Sequence, residues 1–327
     1  MRVFVGEYVC GGGFISSEPA AIDPALRSEG SAMLLALVED LSEFYRVVVA
    51  IDPRFDLALP AGVQRVPMQA GPLWKQWVHA ASSCDCGVVV APETHGILAA
   101  AVSVLRSAGV KVPMCSGEFL RVSSDKWEMA RALVTSGVAH PLTLRAERCL
   151  TANPVPAGPW MVKPRDGCGG DRVRRFETLD EARRMASAGQ LLQRYQPGCP
   201  ISLSCLIERG NIDFLPATRQ WFDGESYCYR GGQGPLSDQE QARAEGLAGR
   251  ALAAMPPVAR GYVGVDMILG RDAATDCVLE INPRLTTSYI GLRRMVAENL
   301  APRILGLASG AIHCTAPVET VSWQCRP

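Results

Sequence analysis

Two short apolar segments near the C-terminus, each carrying an acidic residue, constrain the fold of this chain more than any other feature. Residues 264–268 contain Asp266, and residues 278–282 contain Glu280 and Asn282. Residues two apart in a strand share a face, so Glu280 and Asn282 point the same way. If the segments pair as neighbouring strands, Asp266 joins them, and such hard oxygen ligands suit Mg²⁺ beside substrate phosphates. The pattern predicts a metal-dependent nucleotide site and hence an enzyme, although either carboxylate alone is equally typical of a strand end beside a turn.

The first third of the chain alternates apolar strands with helical segments, as in a parallel α/β sheet. The predicted strands cover 2–9, 47–51 and 87–91, and the predicted helices cover 31–44, 73–82 and 96–108. Glu7, Asp52 and Glu93 then lie at strand ends on one rim, where open parallel sheets bind ligands. The triple glycine at 11–13 lacks the spaced glycines of a dinucleotide fingerprint, so NAD binding is disfavoured.

The remaining two thirds mix helices and strands without that alternation. Strands at 160–164 and 191–195 lie on either side of a glycine-rich loop at 167–170, and 201–208 with 214–222 is predicted to be an antiparallel pair. Helices are predicted at 127–136, 178–188, 237–255 and 293–307. Ser124 or Asp125 is the expected N-cap of the first of these helices.

Length and composition exclude several classes of protein. A chain of 327 residues, 48% of them hydrophobic, is long enough for two domains or one composite domain. Its net charge of zero lacks the basic surplus of a nucleic-acid-binding protein. It shows no membrane-spanning run and no signal-peptide pattern, so we expect a cytoplasmic protein with neither a membrane nor a nucleic-acid partner. The 12 cysteines are irregularly spaced, which favours free thiols over zinc sites.

Further residues follow one another in an order that suits ATP. Lys126 stands at a predicted helix start and Lys163 ends a strand just before the glycine-rich loop. Two lysines neutralise phosphate oxygens as point charges, and glycines let backbone N–H groups approach phosphates closely. An exposed strand edge near Tyr195 would offer backbone donors and acceptors to adenine. The loop is not a Walker motif, because its lysine precedes the glycines.

This ordered set resembles the ATP-grasp superfamily of carboxylate–amine ligases over nearly the whole chain. The resemblance implies a mixed α/β and α+β fold, in which an N-terminal Rossmann-like parallel-sheet domain at 1–115 precedes two ATP-gripping subdomains. The small subdomain with the glycine-rich loop would cover 116–195, and the C-terminal subdomain with the metal site would cover 196–327.

The same resemblance implies a role for each candidate residue. The residues implied to contact ATP are Lys126, Lys163, Gly167, Gly169, Gly170, Gln193, Arg194 and Tyr195. The implied ligands of Mg²⁺, or of Mn²⁺ in its place, are Asp266, Glu280 and Asn282. Lys163 and Arg284 are the implied catalytic residues. Arg219, on the strand before the loop 223–234, is a further catalytic candidate that could meet the acyl phosphate, and the alternative that it is an exposed strand arginine stays open. The glutamate that holds the ribose in many members has no counterpart at 199–202.

Residues 7–13 and 282–289 further resemble the tyramine–L-glutamate ligase group of this superfamily, which serves methanofuran biosynthesis and, in bacterial relatives, methylofuran and one-carbon metabolism. This implies ATP-dependent joining of glutamate to tyramine or tyrosine through an acyl phosphate. Two alternatives stay open: a ligase of the D-alanine–D-alanine type, and a non-catalytic ATP-binding module. The expected partners are a small amino-acid carboxylate and an amine, and a homodimer is one of the assembly states left open.

Overall fold

A computed structural model describes residues 1–148, 157–167, 172–224, 227–257, 260–310, 312–315 and 319–324. Its N-terminal part is a four-stranded parallel sheet with three helices packed against it. In chain order these elements are β1 (Arg2–Glu7), α1 (Pro24–Ser42), β2 (Arg46–Ile51), β3 (Gln64–Pro67), α2 (Leu73–Ala81), β4 (Cys86–Val90) and α3 (Ile97–Ser107). The strand order is β3-β2-β1-β4. The inner strands are apolar without alternation because helices cover the sheet.

The middle part is a small antiparallel sheet with one helix of its own. Its elements, preceded by two helices, are α4 (Gly117–Ser123), α5 (Lys126–Thr135), β5 (Thr143–Arg145), β6 (Trp160–Pro164), β7 (Arg174–Phe176), α6 (Leu179–Met185) and β8 (Gln190–Arg194). The strand order is β5-β8-β6-β7, so β8 has a neighbour on each side. A small core around Trp160 joins this sheet to α6.

The C-terminal part is a seven-stranded sheet. Its elements are β9 (Cys199–Glu208), β10 (Asn211–Phe214), β11 (Thr218–Phe222), β12 (Tyr229–Gly234), α7 (Asp238–Ala254), β13 (Arg260–Leu269), β14 (Cys277–Asn282), α8 (Tyr289–Met295), α9 (Ala301–Ile304) and β15 (Val321–Gln324). The order is β14-β13-β9-β11-β12-β15, with β10 added beside β9. One face buries apolar side chains against α5 and α7. Helices α8 and α9 instead join the core of the N-terminal sheet, so the two ends of the chain share one core.

Two secondary-structure predictions were wrong, and proline explains both. The helix predicted at 293–307 is two short helices, since Pro302 fits only the first turn of α9 and the Asn299 side chain accepts a hydrogen bond from the Ala301 N–H. The strand predicted at 214–222 is divided into β10 and β11 around Pro216, which has no N–H for a sheet. Helix α1 also begins earlier than predicted, at Pro24, with Asp23 as its N-cap. Among the described residues no helix is both long and apolar enough to cross a bilayer.

Candidate functional site

A cleft of about 590 Å³ lies where the three parts of the chain meet. Its walls carry side chains from the N-terminal rim, from the small sheet and from one face of the large sheet. Many of the predicted site residues line this cleft. They are Lys126, Lys163, Gly167, Gln193, Arg194, Tyr195, Asp266, Glu280, Asn282 and Arg284. Residues from distant parts of the sequence are therefore brought to a single cavity.

The acidic strand pair forms as the sequence predicts. Asp266 on β13 stands opposite Glu280 on β14, and an irregularity in the ladder follows directly between Asp266 and Met267. Asn282 donates from Nδ2 to Asp266 Oδ2 at 2.9 Å, and Gln220 donates to the other oxygen at 3.1 Å. Burial, and then the charge of Glu280, raise the pKa of Asp266 to about 6.

This donor set fits a hard divalent cation. Two carboxylates and one amide come from adjacent strands and face the cleft, and Asn282 uses its amide nitrogen as a donor, which leaves its oxygen as an acceptor. Within the described ranges no group of three or more His, Cys, Asp or Glu side chains could hold a metal. The Asn282 amide oxygen is the candidate third protein ligand beside Asp266 and Glu280.

Lys126 connects the acidic strand to the start of the glycine-rich loop. It is the first residue of α5, whose N-cap Asp125 accepts from the N–H groups of Trp127 and Glu128. Its buried Nζ lies 2.8 Å from Glu280 Oε1 and donates to the Gly167 carbonyl oxygen at 2.6 Å. Burial alone would raise the pKa of Glu280, but the lysines, Lys126 first, hold it below its usual value.

The start of the loop is fixed on both sides. Gly167 adopts φ +123°, a conformation that L side chains rarely take, while its carbonyl oxygen accepts from Lys126. The preceding Asp166 accepts a hydrogen bond from the backbone N–H of His95 at 2.8 Å, which ties the loop to the N-terminal part. Gly169 and Gly170, also predicted to contact ATP, lie outside the described residues.

Lys163 is buried at the end of β6 and pairs with an amide. Its Nζ donates to Gln193 Oε1 at 2.8 Å. Burial lowers the pKa of Lys163 to about 8, with Lys126 adding to the decrease and Glu280 opposing it. The amide nitrogen of Gln193 lies 3.1 Å from His140 Nε2 and 3.0 Å from Thr143 Oγ1. Sequence reasoning missed His140, since a lone histidine before a proline has no motif around it.

The prediction of an exposed strand edge at the hinge is wrong. Strand β8 has β5 on one side and β6 on the other, so it is not an edge. The N–H of Arg194 donates to the Leu142 carbonyl oxygen at 2.8 Å, and that of Tyr195 donates to the Pro159 carbonyl oxygen at 3.0 Å. Both residues line the cleft, but these two N–H groups already have partners within the protein.

Arg284 bridges the large sheet and the N-terminal rim. Its guanidinium donates to both carboxylate oxygens of Glu93, at 2.8 and 3.1 Å, just beyond β4. Both side chains are buried, with 10% of Arg284 and 4% of Glu93 exposed. The sequence placed Glu93 on the ligand rim without indicating this partner.

Arg219 is not brought to the cleft, contrary to its predicted catalytic role. Alternate residues of a strand point to opposite faces, and on β11 it is Gln220 that lines the cavity. Arg219 instead faces α7, where its guanidinium lies 2.7 Å from Glu240. Arg219 therefore lies outside the cleft that holds the other described candidate residues.

Glu7 forms the N-terminal end of the cleft. Only 2% of this residue is exposed, and its carboxylate accepts from the Cys10 N–H at 2.6 Å. Burial raises the pKa of Glu7 to about 7, although hydrogen bonds from Cys10 and Val9 oppose the shift. The apolar side chains of Leu26 and Met33 line the same end. The cysteines in the described part of the chain are free thiols, as expected.

Comparisons with known families cover most of the chain. The family model of the ATP-grasp domain matches residues 123–288, and that of the pre ATP-grasp 3 domain matches residues 45–118. A tyramine–L-glutamate ligase from Methanocaldococcus jannaschii is 28% identical over 209 residues, which are 64% of this chain and 58% of that protein. The chain therefore spans less than two thirds of this curated relative.

Solved structures show the same fold. An ATP-grasp superfamily protein from Archaeoglobus fulgidus superposes with a TM-score of 0.73 at 22% identity, covering 96% of this chain and 90% of that one. N5-carboxyaminoimidazole synthetase from Staphylococcus aureus, solved with ADP, gives a TM-score of 0.68 at 14% identity, covering 96% of this chain and 79% of that one. At these identities the likeness establishes the fold alone, and it agrees with the mixed α/β fold predicted from the sequence.

Proposed function

The chain belongs to the ATP-grasp family, and from this premise we propose that it is an ATP-dependent ligase that joins a carboxylate to an amine through an acyl phosphate. The observation that carries the proposal is the convergence of Lys126, Lys163 and Arg284 with the Asp266–Glu280 strand pair in one cleft. Cations beside an oxygen-rich acidic pair suit a metal-bound polyphosphate better than any neutral ligand. A binding module without catalysis would not need this arrangement.

In the proposed reaction, an oxygen of the substrate carboxylate attacks the γ-phosphorus of ATP, and the bond to the β,γ-bridging oxygen breaks, releasing ADP. Lys126, Lys163 and Arg284 stabilise negative charge on the transferring phosphoryl group. Mg²⁺ bound by Asp266, Glu280 and Asn282 would supply further positive charge at the phosphates. The amine nitrogen then attacks the acyl carbon, phosphate leaves, and the amine loses a proton, which gives the amide.

Exclusion of water is the second requirement, because water would hydrolyse an acyl phosphate. The loop that begins at Gly167 is tied at its start to both Lys126 and the N-terminal rim. Gly167, the described start of the loop, lines the cleft, which supports contact between this end of the loop and the phosphates. We infer that most of the catalytic effect comes from positioning rather than from proton transfer.

The N-terminal end of the cleft supports a particular kind of acceptor. The buried carboxylate of Glu7 lies beside apolar side chains, which suits an amine carried on an apolar body. The relative from Methanocaldococcus jannaschii is named for tyramine and glutamate. We therefore propose glutamate as the carboxylate donor and tyramine, or tyrosine, as the amine, in a pathway of the methylofuran type.

Product analysis tests this directly. The protein is incubated with ATP, Mg²⁺, glutamate and either tyramine or tyrosine, and the products are followed by mass spectrometry together with ADP release. We expect one amide-linked product and ADP formation that requires both substrates. ADP release without either substrate, or ATP binding without turnover across an amine and amino-acid panel that includes D-alanine, would refute the ligase proposal. A D-alanyl dipeptide would retain the reaction class and overturn the substrates.

A further inference from the structure

His140 lies at the junction of three elements, between α5 and β5 and against β14. Its ring nitrogen Nδ1 is 2.8 Å from the Val278 carbonyl oxygen, and the N–H of Val278 donates to the neighbouring Ala139 carbonyl oxygen at 3.0 Å. The segment 139–140 is thereby hydrogen-bonded to the strand that carries Glu280. His140 contacts neither Lys163 nor the acidic pair through any described hydrogen bond, but Gln193 connects it to Lys163.

Hydrogen-bond chemistry fixes the tautomer of this histidine. A carbonyl oxygen accepts and never donates, so Nδ1 must carry the proton that is directed at Val278. Burial lowers the pKa of His140 to about 3, with the charge of Lys163 adding to the effect, so the ring is neutral. Its Nε2 therefore has a lone pair and requires a donor.

The tautomer in turn fixes the orientation of the Gln193 amide. The Thr143 hydroxyl lies 2.9 Å from the Pro141 carbonyl oxygen and 3.2 Å from His140 Nε2, and whichever of the two it donates to, its oxygen keeps a lone pair that accepts from the Gln193 amide. Nε2 of Gln193 carries two hydrogens and faces these two acceptors, at 3.1 and 3.0 Å. Rotating the amide by half a turn would bring its oxygen against the His140 lone pair and its N–H groups against the Lys163 ammonium. Only the observed orientation satisfies every group.

We propose that His140 is a positioning residue that, through the Gln193 amide, holds the Lys163 ammonium at a neutral acceptor, in the place where it meets the phosphates of ATP. The inference rests on the proposed function, in which Lys163 contacts the nucleotide. An amide at position 193 leaves the lysine charge without a carboxylate partner at that contact. A glutamate there would accept from Lys163 in either orientation and would need no histidine to orient it.

A double-mutant cycle tests this dependence. His140→Leu, Gln193→Glu and the double variant are compared with the wild type by the KM and kcat for ATP, and by the dissociation constant of a non-hydrolysable ATP analogue with Mg²⁺. In the wild-type background we expect His140→Leu to raise KM and the dissociation constant by about tenfold, as for the loss of one or two buried hydrogen bonds. In the Gln193→Glu background we expect the same substitution to change them by less than about twofold. Equal effects in both backgrounds would overturn the proposal.

Two further variants remove ambiguities. Thr143→Val deletes the other acceptor of the Gln193 amide and leaves the contacts of His140 with β14 in place, so it replaces His140→Leu if that variant fails to fold. We expect a weaker effect of the same sign, again absent in the Gln193→Glu background. Met129→Leu removes the sulfur that accepts from Ile281 N–H at 3.2 Å on the same strand, without touching Gln193. If Met129→Leu reproduced the background dependence of His140→Leu, movement of β14 would be the cause and the proposal would fail.

The readouts separate this proposal from the ligase proposal. Analogue binding requires no turnover, so the cycle can be measured even if the protein forms no amide. If the protein forms an amide but the double-mutant cycle is additive, the ligase proposal stands and the positioning role of His140 is rejected. If the cycle is non-additive in analogue binding but the protein turns over no substrate, the positioning role of His140 stands and the ligase proposal is rejected.

Discussion

The buried ion pair between Glu93 and Arg284 provides a quantitative test of how the N-terminal rim is joined to the candidate site. We expect Glu93→Gln to destabilise the protein by about 3–5 kcal/mol, the usual cost of removing one member of a buried pair. Water screens this pair little, because only 4% of the Glu93 side chain and 10% of the Arg284 side chain are exposed. Two hydrogen bonds of 2.8 and 3.1 Å join them, so the full magnitude applies. The loss arises mainly because the guanidinium remains buried without its carboxylate.

The double variant separates that cost from the value of the pair itself. Replacing both partners, as in Glu93→Gln/Arg284→Met, leaves neither charge of this pair buried without its partner, so we expect its destabilisation to be less than the sum of the single variants by about 2–3 kcal/mol. The measurement is urea unfolding at pH 7, followed by fluorescence and circular dichroism to establish that one transition is observed. Glu118→Gln is the matched control, since it breaks an exposed pair with Arg121 and should leave stability unchanged. Additive single variants, or a Glu93→Gln protein as stable as the control, would refute the reasoning.

Three other substitutions have definite expected outcomes. Lys163→Ala should lower kcat for ADP release by about a hundredfold, since a preorganised donor to a transferring group is worth about 3 kcal/mol, and near-normal turnover would contradict the site. The pKa of Glu7 is about 7 in the folded protein against 4.5 in the unfolded chain, so the folded state binds this proton more tightly. Wild-type stability should therefore fall as pH rises through that window. Glu7→Gln should lack the contribution of Glu7 to this fall while that of Asp266 remains, so the two proteins should diverge by about 3 kcal/mol from pH 4 to pH 8 in urea unfolding; parallel curves would argue against it. Gly291→Ala would place a Cβ 2.1 Å from the Trp323 ring, so a thermal melt should show a lower Tm, corresponding to about 1–3 kcal/mol, and an unchanged Tm would contradict the packing.

The sequence predicted those features that depend on neighbouring residues. Alternation in a strand is local, so the shared orientation of Glu280 and Asn282 followed from their spacing, and their pairing with Asp266 required only that two apolar segments be adjacent. The order of the N-terminal strands and helices likewise followed from continuous apolar runs. The capping carboxylate of Asp125 was visible because helix starts have their own residue preferences.

Features that depend on tertiary contacts were not visible in the sequence. The partner of Arg284 is 191 residues away, and no local pattern joins it to Glu93. Whether Arg219 points toward the cleft or toward α7 depends on which face of β11 packs against α7, and a shift of one residue along the strand exchanges the two faces. The sequence predicts an edge at the hinge strand because periodicity does not identify its hydrogen-bonded neighbours, β5 and β6.

The partners of Lys126, Lys163 and Arg284 explain why these three cationic side chains of the cleft are not equivalent. Lys126 meets the carboxylate of Glu280, Arg284 meets that of Glu93, and Lys163 meets the neutral Gln193. A divalent cation bound by Glu280 would share that carboxylate with Lys126, which pairs with its Oε1. Arg284 is held by the N-terminal rim, whatever occupies the metal ligands. Lys163 has a neutral amide rather than a carboxylate as its hydrogen-bond partner, so it remains able to attract phosphate, provided that the amide stays correctly oriented.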